Sequence, residues 1–185
     1  MGTVVSSRGV GLQDFSLEEP WRPPSIVLEV DPPYHTKTRT VIEQALSPAA
    51  VRNLTKSFRE DAEKLFGELL ERGTFDAVGE LAEIYPTTVF PKAVGLQTID
   101  RRRLIDYGEM VFSAIGPDNE LRRNACQRAL MWFLGSWSNA SANISPDGFG
   151  SAIYAGADAG EISVEEAGLL VRSLCQPGSI LRSQL

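Results

Sequence analysis

From Val51 onward, apolar residues fall at Val51, Leu54, Phe58, Ala62, Leu65, Phe66, Leu69 and Leu70. Steps of three and four put all of them on one face of an α-helix. Ser47-Pro48 supplies the start signal, a hydroxyl N-cap followed by a proline whose missing N–H costs nothing in the first turn. Gly73 after Arg72 supplies the stop. A helix of this length must lay its apolar stripe against other elements, which narrows the chain to a packed helical or helix-on-sheet domain.

The remaining pattern favours helices. Residues 1–30 show little periodicity and read as loop with short helical turns. Asp31-Pro32-Pro33 predicts a helix to about Leu46, with Asp31 as its N-cap. A helix fits Val78 to about Tyr85, ended or kinked by Pro86. Further helices are predicted for Ile99–Ile115, stopped by Gly116-Pro117, and for Asn119 to about Trp137. Residues 138–150 are rich in Gly, Asp, Ser and Pro and read as a loop, followed by a short helix from Phe149 to Ala157. Ser163-Val164-Glu165-Glu166 is a capping box that opens a helix through Leu174. Strand patterns are thin throughout, so the expected fold class is mainly α.

Composition excludes several functions. A 43% hydrophobic and 23% charged make-up is that of a globular chain. A net charge of -6 repels phosphate backbones, which argues against a nucleic-acid partner. The most apolar stretch, Ala129 to Leu134, is far short of the roughly 18 residues of a membrane span. No signal-peptide pattern is present, and a cytoplasmic location is expected. Two cysteines, Cys126 and Cys175, and a single histidine, His35, make no protein-only zinc site of the usual kind.

His35 and Arg39 are four residues apart and share one face of the predicted helix. Arginine forks two bonds to a carboxylate and histidine adds another donor, so the pair suits a bound anion. A solvated basic face, or Arg39 paired with a nearby glutamate, fits the same spacing.

Asp31-Pro32-Pro33-Tyr34-His35-Thr36-Lys37-Thr38-Arg39, followed by Leu46-Ser47-Pro48, resembles the C-helix signature of bacterial cytochromes P-450. Ser47 to Gly73 looks like the next two helices of that fold. Leu81-Ala82-Glu83-Ile84-Tyr85-Pro86 looks like the helix after them, and Leu170-Val171-Arg172-Ser173-Leu174 like the start of its long central helix. The resemblance covers about residues 8–174. It implies haem b as cofactor, with His35 and Arg39 on the propionates, and electrons from a ferredoxin and its reductase.

A closer likeness is to the subfamily that oxidises para-substituted benzoic acids. Trp21-Arg22-Pro23-Pro24-Ser25-Ile26 resembles its substrate-recognition loop, which implies that Arg22 and Ser25 hold the substrate carboxylate. Arg172 and Ser173 resemble a second contribution to that site. Val111 to Gly116 resembles the aromatic wall of the pocket, with Phe112 in place and Ile115 where a second Phe is common. For Phe112 and Leu28, plain core packing is an equal alternative.

The likeness stops at Leu174. Cys175 to Leu185 is a divergent tail in which Pro177 ends a helix, and no acid follows Glu166. The Phe-x-x-Gly-x-x-x-Cys loop of the iron ligand is absent, so the chain holds no metal ligand or catalytic residue of the family's kind. Residues 1–185 are therefore expected to form a partial cytochrome P-450 domain, cut at both ends and inactive alone. In complete form it would hydroxylate or O-demethylate a 4-substituted benzoate with O2. The alternative is a remnant, a pseudogene product that binds haem or an aromatic acid without catalysis.

Overall fold

A computed structural model describes residues 4–96, 100–135 and 144–174, with the side chains of 130–135 left out. Ile99, Trp137, Cys175 and the rest of the tail lie outside the described residues. Seven α-helices follow one another: α1 (Tyr34–Ala45), α2 (Pro48–Arg72), α3 (Ile84–Val94), α4 (Arg101–Ala114), α5 (Glu120–Gly135), α6 (Phe149–Asp158) and α7 (Val164–Leu174). A six-residue π-helical segment, Ala77–Ala82, precedes α3. No strand occurs among the described residues, in agreement with the mainly α expectation.

Local chemistry explains most boundaries. Ser47 Oγ accepts from Ala50 N at the start of α2, with Pro48 in the first turn. Gly73 ends that helix at φ +74°, a left-handed value that a side chain resists. Asp100 caps α4 by accepting from Arg102 N, and Asn119 Oδ1 accepts from Arg122 N at the start of α5. The capping box of α7 is formed reciprocally: Ser163 N donates to Glu166 Oε2 at 2.7 Å, and Glu166 N to Ser163 Oγ at 3.1 Å.

Three local expectations fail. Asp31 does not cap α1, whose N-cap is Pro33 without a side-chain bond. Its carboxylate instead accepts from Ser6 N and Ser7 N and ties the N-terminal segment to the helix entrance. Pro86 does not end a helix; it lies in the first turn of α3, where its absent N–H has no partner to lose. The stretch before it is wound as a π-helix, its start held by Asp76 Oδ1 accepting from Val78 N and by the Arg72–Glu80 ion pair. Finally, Ser47 to Gly73 is one continuous helix rather than two, as its unbroken periodicity requires.

Two apolar clusters hold the helices together. The larger joins Val41, Ile42 and Ala45 of α1 to Ile153 of α6 and to Leu170 and Val171 of α7, all buried. The smaller packs Tyr107, Met110 and Ala114 of α4 on Ala125 and Ala129 of α5, with Trp21 against it. α3 bridges the groups: it packs on α2, α4 and α6. α2 itself buries only Leu69, and it is fixed to α3 by Lys92–Asp61 at 2.8 Å and by Tyr85 Oη donating to Phe58 O.

A polar clasp joins the first and last helices. Tyr34 Oη donates to Glu166 Oε1 at 2.6 Å, and Lys37 Nζ lies 3.1 Å from Glu166 Oε2. The hydrogen bond from Tyr34, with those from Ser163 and Lys37, holds the Glu166 carboxyl below its usual value. Burial, then the bond to Glu166 and its charge, push the Tyr34 phenol up to about 12. A depressed carboxylate contributes stability above the ordinary glutamate range and loses it as pH falls through its folded value. A raised phenol contributes below the ordinary tyrosine value and loses it as pH rises through about 12. The clasp is thus at full strength around neutrality. Tyr34→Phe should lower stability by about 1 kcal/mol at pH 7. In urea denaturation the deficit should shrink in acid, as Glu166 takes up its proton.

Candidate functional site

The site begins with the loop before α1. Ser25 to Glu29 forms a turn closed by Glu29 N donating to Ser25 O at 2.9 Å. Ser25 Oγ accepts from Leu28 N at 3.2 Å, and Thr38 Oγ1 of α1 donates to Ile26 O at 2.6 Å. That turn presents Glu29 inward, where it is 4% exposed. Arg22 meets it with two bonds, Nη1 to Oε2 at 2.7 Å and Nη2 to Oε1 at 3.1 Å. Ser25 N donates to the same Oε2 at 2.7 Å, and the guanidinium lies 5.3 Å from the centre of the Trp21 ring.

Arg172 of α7 is 3% exposed and feels the charges of both members of this pair. Burial pulls its guanidinium below the usual arginine value; Tyr107 and Glu29 oppose that shift and Arg22 adds to it. Two arginines and one glutamate therefore lie within electrostatic reach of one another.

Beside them lies a cavity of about 420 Å³. Trp21, Val27, Leu28, Val111, Phe112 and Ile115 give it a mostly apolar wall. Arg22, Glu29, Arg39, Arg122 and Ser173 reach its lining as well. Of the residues singled out from the sequence, the cavity brings together Arg22, Leu28, Phe112, Ile115, Ser173 and Arg39. Ser25 and Arg172 stand behind the wall. Phe112, Leu28 and Ile115 are all about half exposed, so none of them is core.

His35 is partly buried on α1, one turn before Arg39, and does not line the cavity. Arg39 Nε donates to Glu43 Oε1 at 2.8 Å, the glutamate pairing that the spacing left open. Both partners are more than half exposed, and such a pair is worth about 0–1 kcal/mol, little enough for a ligand carboxylate to replace it. The Arg39 guanidinium is therefore open to exchange its surface partner for another carboxylate. Cys126, the cysteine among the described residues, does not fit a thiolate ligand: it packs with the α4–α5 cluster, and burial raises its thiol pKa. Among the described residues no group of three or more His, Cys, Asp or Glu could hold a metal ion, and no helix is long and apolar enough to cross a membrane.

Glu29 and Arg122 were missed in the sequence. Glu29 left a faint signal, a lone acid within Ile26-Val27-Leu28-Glu29-Val30. Arg122 left none, since it follows Leu121 and precedes Arg123 on a helix whose partner cannot be read locally.

Comparison with known proteins agrees with the fold and the order of landmarks. The chain is 49% identical over 179 residues to cytochrome p450 CYP199A2 of Rhodopseudomonas palustris, covering 95% of this chain and 43% of that protein. It is 25% identical over 155 residues to a steroid C26-monooxygenase of Rhodococcus jostii, covering 83% and 33%. The crystal structure of CYP109E1 from Bacillus megaterium superposes with a TM-score of 0.64 at 18% identity, over 85% of this chain and 44% of that one. No family model matches. The chain belongs to the cytochrome P450 family and spans less than half the length of these curated relatives.

The buried pair yields a stability prediction. Removing one partner of a buried ion pair leaves an uncompensated charge and costs about 3–5 kcal/mol, whereas apolar replacement of both costs far less. Glu29→Leu and Arg22→Met should each destabilise the chain by about 3 kcal/mol, and the double variant by less than either. Urea denaturation of the four proteins checks it.

Proposed function

We propose that this chain forms the substrate pocket and propionate anchor of a haem monooxygenase for aromatic carboxylic acids. The observation that carries this reading is the buried Arg22–Glu29–Arg172 group beside an apolar cavity. A ring fits between Leu28, Phe112 and Ile115. Its carboxylate is costly to bury unless donors meet it. Arg22 and Ser173, which line the cavity, are the donors proposed for it, with Ser25 and Arg172 supporting them from behind the wall. Arginine donors favour the ionised form of the acid, and the apolar wall selects a flat, hydrophobic body. The resemblance of Trp21–Ile26 and Val111–Gly116 to the subfamily that oxidises para-substituted benzoic acids supports the same ligand class.

His35 and Arg39 would hold the haem propionates, through one imidazole and one guanidinium donor on a common helix face. Bound haem with a thiolate ligand supplies O2 activation: one oxygen atom enters a C–H bond, the other leaves as water, and two electrons and two protons are consumed. The electrons are proposed to come from a ferredoxin and its reductase. The residues of this chain bind and orient; none of them performs the oxidation. The alternative, a protein that binds an aromatic acid or haem without catalysis, rests on the same donors and on the poor fit of Cys126 as a thiolate ligand.

Two binding experiments test the reading. The chain should take up 4-methoxybenzoate at least about tenfold more tightly than 4-methoxybenzamide, because a charge-assisted hydrogen bond contributes about 1.5–3 kcal/mol. Equal affinities in isothermal titration would sink the carboxylate pocket. Haem should bind more tightly than its dimethyl ester in a Soret titration, and His35→Ala with Arg39→Ala should erase that difference. An unchanged difference would remove both residues from the propionate site.

A further inference from the structure

Four ionisable residues line the cavity: Arg22, Glu29, Arg39 and Arg122. Three of them are spoken for. Arg22 and Glu29 hold each other at 2.7 and 3.1 Å, and Arg39 is engaged by Glu43 at 2.8 Å. Arg122 differs. It stands in the first turn of α5, its side chain only 19% exposed, and its Nε donates to Ala114 O at a long 3.4 Å. The nearest carboxylates are Glu18 Oε2, 3.9 Å from Nη2, and Asp118 Oδ1, 4.0 Å from Nη1. Both distances are too long for hydrogen bonds. Asp118 is moreover committed to the neighbouring Arg123, with two bonds of 3.0 Å, and about 60% of its side chain faces solvent. A guanidinium that is four-fifths buried and weakly compensated is costly unless an anion reaches it.

We propose that Arg122 is a specificity-determining residue that meets the carboxylate of an incoming aromatic acid on its way to the Arg22–Glu29–Arg172 group. The inference rests on the carboxylate-pocket reading above. Arg122 comes from a different element than that group, between the α4–α5 turn that carries Ile115 and Gly116 and the N-terminal segment that carries Glu18. A mostly apolar wall with few counter-charges focuses its field into the cavity, the arrangement that speeds capture of an opposite charge. The final position of the carboxylate belongs to the buried group, so Arg122 acts chiefly on the rate of association.

Stopped-flow Trp fluorescence of the 185-residue chain tests this with 4-methoxybenzoate and 4-methoxybenzamide as probes. Arg122→Gln should lower the association rate of the acid about three- to tenfold at low salt, and leave that of the amide unchanged. Arg122→Lys, which keeps the charge, should lose less. In the wild-type chain the acid's association rate should fall as salt rises. An unchanged rate for the acid in Arg122→Gln, an equal loss for acid and amide, or a salt-independent wild-type rate would each overturn the assignment while leaving the carboxylate pocket standing. A wild-type chain that binds acid and amide equally at equilibrium would overturn both. Should Arg122→Gln fail to fold by circular dichroism, the wild-type salt dependence and Arg122→Lys decide the question.

Discussion

Two opposite charges, Arg22 and Glu29, lie side by side with 8% and 3% of their side chains exposed. Taking both out of water costs several kcal/mol for each ion, and attraction repays this only when geometry and hydrogen bonding are nearly complete. Here the pair is bidentate, the Ser25 amide fills a further position on the carboxylate, and Pro23 O accepts from Arg22 Nη1 at 3.0 Å. All of those partners come from residues 22–29, so the pair fixes the shape of a loop that has no helix or strand of its own. The same loop carries Trp21 into the α4–α5 cluster and Ile26 into the cluster of α1, α6 and α7. The pair is therefore the point at which the two cores and the cavity between their walls become one structure.

Arg172 changes what this arrangement can bind. Arg22 with Glu29 is close to neutral, and a neutral pair beside an apolar cavity has no preference for anions. A second buried arginine tips the balance. Its pKa is pulled downward, first by burial, while Tyr107 and Glu29 oppose that shift. A carboxylate brought into the cavity would reverse that pull, so ligand charge and arginine charge would stabilise each other. The acid selectivity proposed for the cavity would then draw on the charges of the whole group rather than on any single contact.

The helices were legible in the sequence because their signals are local. Ser47-Pro48, Gly73 and the Ser163–Glu166 capping box each act within one turn, and each does what its chemistry predicts. Errors arose where a partner lay elsewhere in the chain. Asp31 has the right side chain for an N-cap, yet the amides of Ser6 and Ser7 claimed it. Pro86 reads as a breaker until the π-helical turn before it shifts the helix start and places the proline in a first turn. Of the site, Arg22, Leu28, Phe112, Ile115 and Ser173 were picked out by likeness to a family, and the fold sets them around one cavity. Glu29 and Arg122 escaped because a loop acid and a helix arginine carry no periodic mark; what they face is decided by residues far away in sequence.

α1 links the two recognition tasks proposed for the chain. Its inner face, Val41, Ile42 and Ala45, is buried in the larger core, while Ile42 and Arg39 also reach the cavity. His35 lies one turn from Arg39, and Thr38 between them is fully buried and bonded to the recognition loop through Ile26 O. A displacement of α1 along its axis would move the propionate donors, strain the Thr38 bond and deform the cavity wall together. Tyr34 and Lys37 resist such a displacement by gripping Glu166 at the start of α7, the helix that also carries Arg172 and Ser173. The clasp between the two helix starts thus sets the register between the helix of the proposed propionate donors and the helix of the proposed acid-binding residues. Loosening it would disturb both helices even though none of its three residues lines the cavity.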